Sequence, residues 1–320
     1  MKRPVPEARV LRLRKQAFNA TRAFFDGEDF LEVETPIAVT SPGMEPHLEA
    51  FETRWRAPNH DEALYLHTSP EYAMKRLLGA GHERIYQLAR VFRDGEHSRT
   101  HAPEFTMLEW YRQPGTLEDL MDDTEALIEQ VADAVDGPWR PSGFRRCSVS
   151  EAFLEAGLRD PFDHEDAVDL ARALGVREVS GDTWDDVFHR AMFDFIEPSF
   201  DPATPVILWG YPASMAALSK IDPDDPRRCL RFEVFIGGVE LANAFAELTD
   251  PEEQRRRFEA EQRLRASLDR PVYPIDEDLL TALTNVDDAA GIALGIDRLL
   301  MVCDGAESIE DIIPFSPRSP

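Results

Sequence analysis

The segment that most constrains the fold is Arg231 to Glu247, RFEVFIGGVELANAFAE, in which two apolar-rich runs meet at Gly237-Gly238. A glycine pair between such runs predicts a two-residue hairpin turn, because both central residues of the favoured turn need positive φ. With that turn Phe235 faces Glu240. Period-two alternation puts Glu233 on the same face, so Glu233 and Glu240 become diagonal neighbours. Two carboxylates on an otherwise apolar hairpin repel and lose hydration unless a cation or basic group lies between them. Mg2+ carried on the phosphates of ATP fits, since it takes few protein carboxylates and completes its shell from substrate and water. Pairing of both acids with arginines on a solvated face is the plainer reading, and spacing alone leaves the two equal.

Around this hairpin the pattern alternates between helices and strand pairs. Val10, Leu11, Leu13, Phe18, Phe24 and Phe25 form a helical apolar stripe ending at Asp26-Gly27, and Phe30 to Ile37 reads as a strand checked by Pro36. A helix capped by Thr68 or Ser69, with Pro70 in its first turn, closes at Gly79 and Gly81. Two strands, Arg84 to Arg93 and Pro103 to Arg112, flank the polar segment Asp94 to Ala102. Leu117 to Val135, Ala167 to Leu174 and Asp185 to Phe195 read as helices, so a mainly helical insertion is expected at about 116–205 within one domain, 1–320. Strands return at Val206 to Trp209, a charged helix runs from Pro251 to about Leu268, and a strand-to-helix passage spans Gly291 to Cys303. Strands joined mostly in hairpins argue for an antiparallel sheet and the α+β class.

Composition narrows the function. Thirty-five basic against 61 acidic residues leave a net charge of −26, which opposes extended contact with nucleic acid. Only Lys2, Lys15, Lys75 and Lys220 are lysines, a bias toward arginine that suits a high-salt cytoplasm. Cys147, Cys229 and Cys303 lack zinc or disulfide spacing and read as buried thiols. No apolar run reaches the roughly 20 residues of a membrane span, so a cytoplasmic location is expected.

Along the second strand, Phe105, Met107, Glu109 and Tyr111 share a face, offering an acid and a phenol to an ammonium group. Arg93, at the end of the partner strand, is placed to grip a phosphate through two bonds. Glu71, in the first turn of its helix, can receive an amino group or serve as a capping carboxylate. Gly291-Ile-Ala-Leu-Gly295 brings backbone close to a neighbour before Asp297-Arg298 opens a helix. Neither a P-loop nor a GxGxxG fingerprint occurs.

These residues resemble the catalytic core of class II aminoacyl-tRNA synthetases, most nearly the lysyl enzymes. FLEVETP at Phe30 to Pro36 is similar to motif 1, FRDGEHSRTHAPEFTMLEWYR at Phe92 to Arg112 to motif 2, and GIALGIDRLLM at Gly291 to Met301 to motif 3. TSPEY at Thr68 to Tyr72 and GVELANAFAEL at Gly238 to Leu248 extend the likeness to nearly the whole chain. The chain begins almost at the motif 1 helix, before which the lysyl enzymes carry an anticodon-binding domain, so full-length tRNA recognition is not expected. Its wording at EFTMLEWYR and ALGIDR, with Ala293 where lysyl enzymes usually have glycine, resembles the stand-alone elongation factor P (R)-β-lysine ligase family.

The resemblance implies a mixed, mostly antiparallel sheet flanked by helices, and ATP with Mg2+ as cofactors. It implies that Arg93 and Arg298 hold phosphates and are catalytic, that Phe105 stacks on adenine, and that Asp94, Gly95, Glu96, His101, Ala102, Glu240, Leu241 and Gly295 complete the ATP site. Glu233 and Glu240 would bind the metal. Ser69, Pro70 and Glu71 would meet the backbone-side amino group, with Glu109, Tyr111 and Glu247 around the side-chain ammonium and Ala293 shaping the pocket. Asp94-Gly95-Glu96 and Ala102 depart from the family's RNE and HNPEF wording. Expected partners are elongation factor P, (R)-β-lysine supplied by a lysine aminomutase, and a second copy in a homodimer; full-length tRNA and membrane are not expected. The competing readings are a lysine-activating ligase with another acceptor and a catalytically silent amino-acid-binding regulator.

Overall fold

A computed structural model describes residues 6–315; Lys2 and the rest of residues 1–5 in the basic start lie outside them. The chain forms two compact units, one of residues up to Trp139 and from Glu247 onward, the other Arg140–Ala246.

The first unit opens with α1, Ala8–Gly27, which buries Val10, Leu13, Phe24 and Phe25. Leu11, expected in the stripe, is 49% exposed, because the inward face repeats at three and four residues from Val10 and Leu13 and passes it by. The strand expected over Phe30 to Ile37 shortens to β1, Leu31–Glu32. It pairs in parallel with β5, Arg84–Phe92, whose partner on the other side is β6, Glu104–Arg112, in antiparallel register. β6 then pairs with β11, Ala290–Gly295, so that Glu109 faces Ala293 and Tyr111 faces Gly291. A second sheet, of β2 (Ala38–Val39), β4 (His60–Leu66) and β3 (Glu52–Ala57), has a hairpin that sequence reasoning passed over. Its signal was present in Pro58-Asn59, where Asn59 takes φ 64°.

Five helices complete this unit: α2 (Glu71–Gly79), α3 (Leu117–Ala134), α7 (Pro251–Ser267), α8 (Glu277–Leu283) and α9 (Ile296–Asp304). A buried network joins three elements at the start of α9. Asp297 accepts from the Thr106 amide at 2.6 Å and pairs with Arg14 of α1, which donates to Thr106 Oγ1 at 3.0 Å. That network sets where Arg298, the next residue, emerges.

The second unit carries β7 (Arg145–Ser148), β8 (Val206–Trp209), β9 (Arg231–Ile236) and β10 (Val239–Ala246), in spatial order β10-β9-β8-β7. Only β7 and β8 run parallel. Helices α4 (Val149–Glu155), α5 (Ala167–Leu174) and α6 (Trp184–Ala191) pack on a core that includes Phe153, Phe188 and Phe235. Of the stretch 116–205, Leu117–Ala134 thus belongs to the first unit, and the second holds β7 beside its helices. The helix expected to reach Phe195 ends at Ala191 and passes into one π-helical turn, Met192–Ile196. All three cysteines are buried thiols, with no disulfide among them. Among the described residues no helix is long and apolar enough to cross a membrane.

Candidate active site

Alternation along β6 sends Glu109 and Tyr111 into the first unit, where they are 1% and 3% exposed. Ser69, just before α2, donates its hydroxyl to Glu109 Oε1, and Tyr111 donates to Oε2 at 3.2 Å. The same Ser69 oxygen accepts from the Glu71 amide at 3.0 Å, but the N-cap of α2 is Pro70, not the expected Thr68 or Ser69, and no side chain caps the helix. Glu71 and Glu247 close on a group that sequence reasoning missed, the Lys75 ammonium, at 2.6 and 2.5 Å respectively. Lys75 lies four residues beyond Glu71, one turn along the same face of α2, and that spacing was the available signal.

Burial alone would lower the Lys75 pKa, but the Glu247 and then the Glu71 charges outweigh it, and the ammonium is held above its ordinary range. Burial first, and the neighbouring Glu71 charge second, push Glu109 up to about 8 against the opposing hydrogen bonds from Ser69 and Tyr111. Burial and then Glu109 lift the Tyr111 phenol well above its usual range. Gly291 lies against this group, and a Cβ there would overlap the Tyr111 ring and Glu247 Oε1. The close backbone approach expected of the Gly291 segment is therefore made to the pocket itself.

A second cluster follows the β5 to β6 loop. Arg93 lies with its guanidinium 5.2 Å from the centre of the Phe105 ring and 3.9 Å from Glu96, while its buried Nε has no hydrogen-bond partner among the described residues. Arg298 donates from Nε to the Thr100 carbonyl at 3.1 Å, and its Nη2 lies 2.7 Å from His101 Nε2. Burial, with the Arg298 charge next, depresses the His101 pKa. A neutral ring accepts at Nε2 and presents its Nδ1 proton to Ser98 Oγ, 2.7 Å away. Asp94 and Gly95 are exposed, Ala102 is buried, and Gly295 pairs with Met107. Phe105 and Ala293 pack on one apolar cluster of Ala89, Val91 and Met107, which links this cluster to the Glu109 strand.

In the second unit the glycine turn forms as expected, with φ 54° at Gly237 and 75° at Gly238, and Phe235 faces Glu240. A bulge between Glu240 and Ala242 then departs from simple alternation and brings Asn243 opposite Glu233. Glu233 is paired with Arg231 and accepts from the Tyr211 hydroxyl at 2.7 Å; Arg231 also donates to Asn243 Oδ1 at 3.0 Å. The arginine pairing weighed for this acid is thus present, in a half-buried setting. Glu197 is raised by burial and then by Glu233, so an acid surplus persists beside Arg231. Leu241 is buried and Glu240 exposed. No group of three His, Cys, Asp or Glu side chains able to cage an ion occurs among the described residues. Carboxylate oxygens of this kind fit Mg2+ that brings most of its ligands with it.

A cavity of about 530 Å3 lies in the first unit, lined by Thr35, Pro36, His67, Tyr72 and others, and touches the pocket only through Ser69 and Pro70.

A strand pair carrying an acid-lined ammonium pocket, next to two arginines and a ring, fits a class II synthetase core, and the family comparison agrees. The chain matches the model described as tRNA synthetases class II (D, K and N) over residues 4–319, and it belongs to that family. Within it, the chain is similar to proteins named elongation factor P--(R)-beta-lysine ligase. Those of Pectobacterium carotovorum subsp. carotovorum (strain PC1) and Salmonella typhi are each 41% identical to it over 97% of this chain and 96% of their own length.

Proposed function

We propose that this class II ligase joins (R)-β-lysine to AMP at the expense of ATP and passes the β-lysyl group to a lysine side chain of elongation factor P. The observation that carries the reading is that its buried acids already hold an ammonium, that of Lys75, between Glu71 and Glu247. A site that stabilises one ammonium among Glu71, Glu109 and Glu247 has the charge to take a diamino acid. Names of relatives that match nearly end to end favour the same acceptor.

In this reaction a substrate carboxylate oxygen bonds to the α-phosphorus of ATP and the bond to pyrophosphate breaks. Arg93 and Arg298 offer guanidinium donors to the phosphate oxygens as their charge grows, and Phe105 offers its face to adenine once Arg93 swings to the phosphates. Glu109, Tyr111 and Glu247 hold the far ammonium, and Ser69, Pro70 and Glu71 the near one, so the carboxylate is presented in line. Glu240 and Glu233 would hold Mg2+, which neutralises phosphate charge when bound. The acceptor amine, unprotonated, then attacks the acyl carbon and AMP leaves. On this reading Ala293 shapes the pocket, a lysine aminomutase supplies the substrate, and the enzyme works in the cytoplasm as a homodimer without full-length tRNA.

The test is mass spectrometry of elongation factor P after incubation with enzyme, ATP and each lysine isomer. A mass gain of one lysyl residue, largest with (R)-β-lysine, is expected. Lysylation of tRNA with an unmodified factor would overturn the reading.

A further inference from the structure

Glu45 is an acid of this unit that neither the motifs nor the mechanism uses. Its Oε2 is shut away from solvent and has no hydrogen-bond partner among the described residues. A buried carboxylate oxygen left in that state weakens the fold, so its retention calls for a partner that arrives later. The backbone around it is pinned. Arg265, fully buried, donates from one nitrogen to the Glu45 carbonyl at 2.7 Å and the Leu48 carbonyl at 2.8 Å, and from Nε to Pro271 at 2.6 Å. The arginine therefore fixes the loop without bonding to the acid's side chain.

The pinned loop delivers Glu45 to the pocket. Gly43, at φ +135°, leaves bare backbone beneath the acid; a Cβ there would come within 2.7 Å of Glu45 Oε2 and 2.8 Å of Thr68 Oγ1. Thr68 precedes Ser69, the residue that donates to Glu109. Glu45 is close enough to Glu71 and Arg93 to feel both charges; burial first and Glu71 next raise its pKa, while a hydrogen bond from its own backbone, and then the Arg93 charge, oppose them. Arg93 itself has a buried Nε with no hydrogen-bond partner among the described residues. The structure thus leaves one acceptor, Glu45 Oε2, and one donor, Arg93 Nε, each without a hydrogen bond among the described residues. The carboxyl end of an amino acid presents the complementary pair, an acceptor in its carboxylate or acyl phosphate and a donor in the nearest ammonium.

Building on the proposed lysine-type substrate, we infer that Glu45 Oε2 binds, with Glu71, the ammonium nearest the reacting carboxyl, and is a specificity residue for it. Glu71 Oε1 is engaged by Lys75, so Glu45 provides an acceptor that the resident ammonium does not occupy.

Glu45→Gln and Glu45→Ala test this against three ligands: β-lysine, α-lysine and 6-aminohexanoate, which keeps the far ammonium and lacks the near one. Binding is read as the ligand-induced rise in melting temperature and, for the two lysines, as KM in ATP-pyrophosphate exchange. Both variants are expected to weaken the preferred lysine at least about tenfold, as loss of a charge-assisted hydrogen bond does. The affinity for 6-aminohexanoate and the KM for ATP stay within about threefold, the scatter expected of an indirect change. Ligand-free Glu45→Gln melts at or above the wild-type temperature. Equal weakening of all three ligands, an unchanged lysine KM, or a ligand-free Glu45→Gln that melts lower would each overturn the assignment. Wild-type protein that neither binds nor activates any lysine would instead refute the proposed function, which this design reports separately.

Discussion

The two units bury acidic side chains by different means. In the first, Glu71 and Glu247 share an ammonium from Lys75, itself 2% exposed; in the second, Glu233 is held by a guanidinium and a phenol at the half-buried hairpin. The hairpin's guanidinium and phenol each bond one Glu233 oxygen, so a metal there would share oxygens that are already engaged. An ammonium is a compact charge that donates to several acceptors at once and leaves oxygen atoms over. The comparison teaches that buried acids can be stabilised by an ammonium or by a guanidinium, and the proposed function asks the ammonium-centred pocket to take a second one. Lysine is rare in this chain, with four among 35 basic residues, and one of the four is kept here.

Breaking the pocket should cost most. Lys75→Met leaves Glu71 and Glu247 facing each other in a buried space and is expected to lower stability by about 3–5 kcal/mol, the cost of stranding buried charge; urea denaturation measures it, and a loss under about 1 kcal/mol would remove the ammonium from its central place. Glu247→Gln keeps the shape and removes a charge. It should weaken lysine-type substrates by about 2–3 kcal/mol, read as KM in pyrophosphate exchange, with the KM for ATP little changed.

The acid with the raised pKa sharpens the contrast through pH. Glu109 titrates at about 8 in the fold against an ordinary 4.5, so the folded protein holds its proton more tightly than the unfolded chain. The stability contributed is complete below the unfolded value and is lost as pH rises through about 8. Ligand-free melting temperatures should therefore fall across that window. An added ammonium favours the ionised acid, so substrate binding at neutral pH should release protons and tighten toward pH 8, which calorimetry in buffers of different ionisation enthalpy reports. A flat profile would remove Glu109 from the ammonium contact. The hairpin should respond least: Arg231→Gln frees a partly accessible acid and is expected to cost about 1–2 kcal/mol, visible in the same denaturation assay. If it equals the Lys75→Met effect, the distinction between the two regions disappears.

Much of the fold was legible because it rests on local chemistry. The Gly237-Gly238 turn, the start of α2 near Ser69 and Pro70, the limits of β5 and β6, and Asp297-Arg298 at the opening of α9 all follow from residues near one another in sequence. The misses have a common cause. The bulge after Glu240, the shortening of β1 and the π-helical turn after Ala191 depend on what packs against the segment, which period-two or helical counting does not register. Lys75 was passed over because a lone lysine on a helix is ordinarily solvated, and Glu45 because its loop carries no periodic pattern.

By itself the sequence determined the α+β class, the elements whose turns and periodicity are local, and the residue types available to bind an ammonium and phosphates, since turn chemistry and side-chain alternation act over a few residues. Only the tertiary structure decided which acids share a cation and which wait for one. That choice is made where segments as distant as Ser69, Lys75, Glu109 and Glu247 meet out of water, and the energy of a buried charge depends on its neighbours in space.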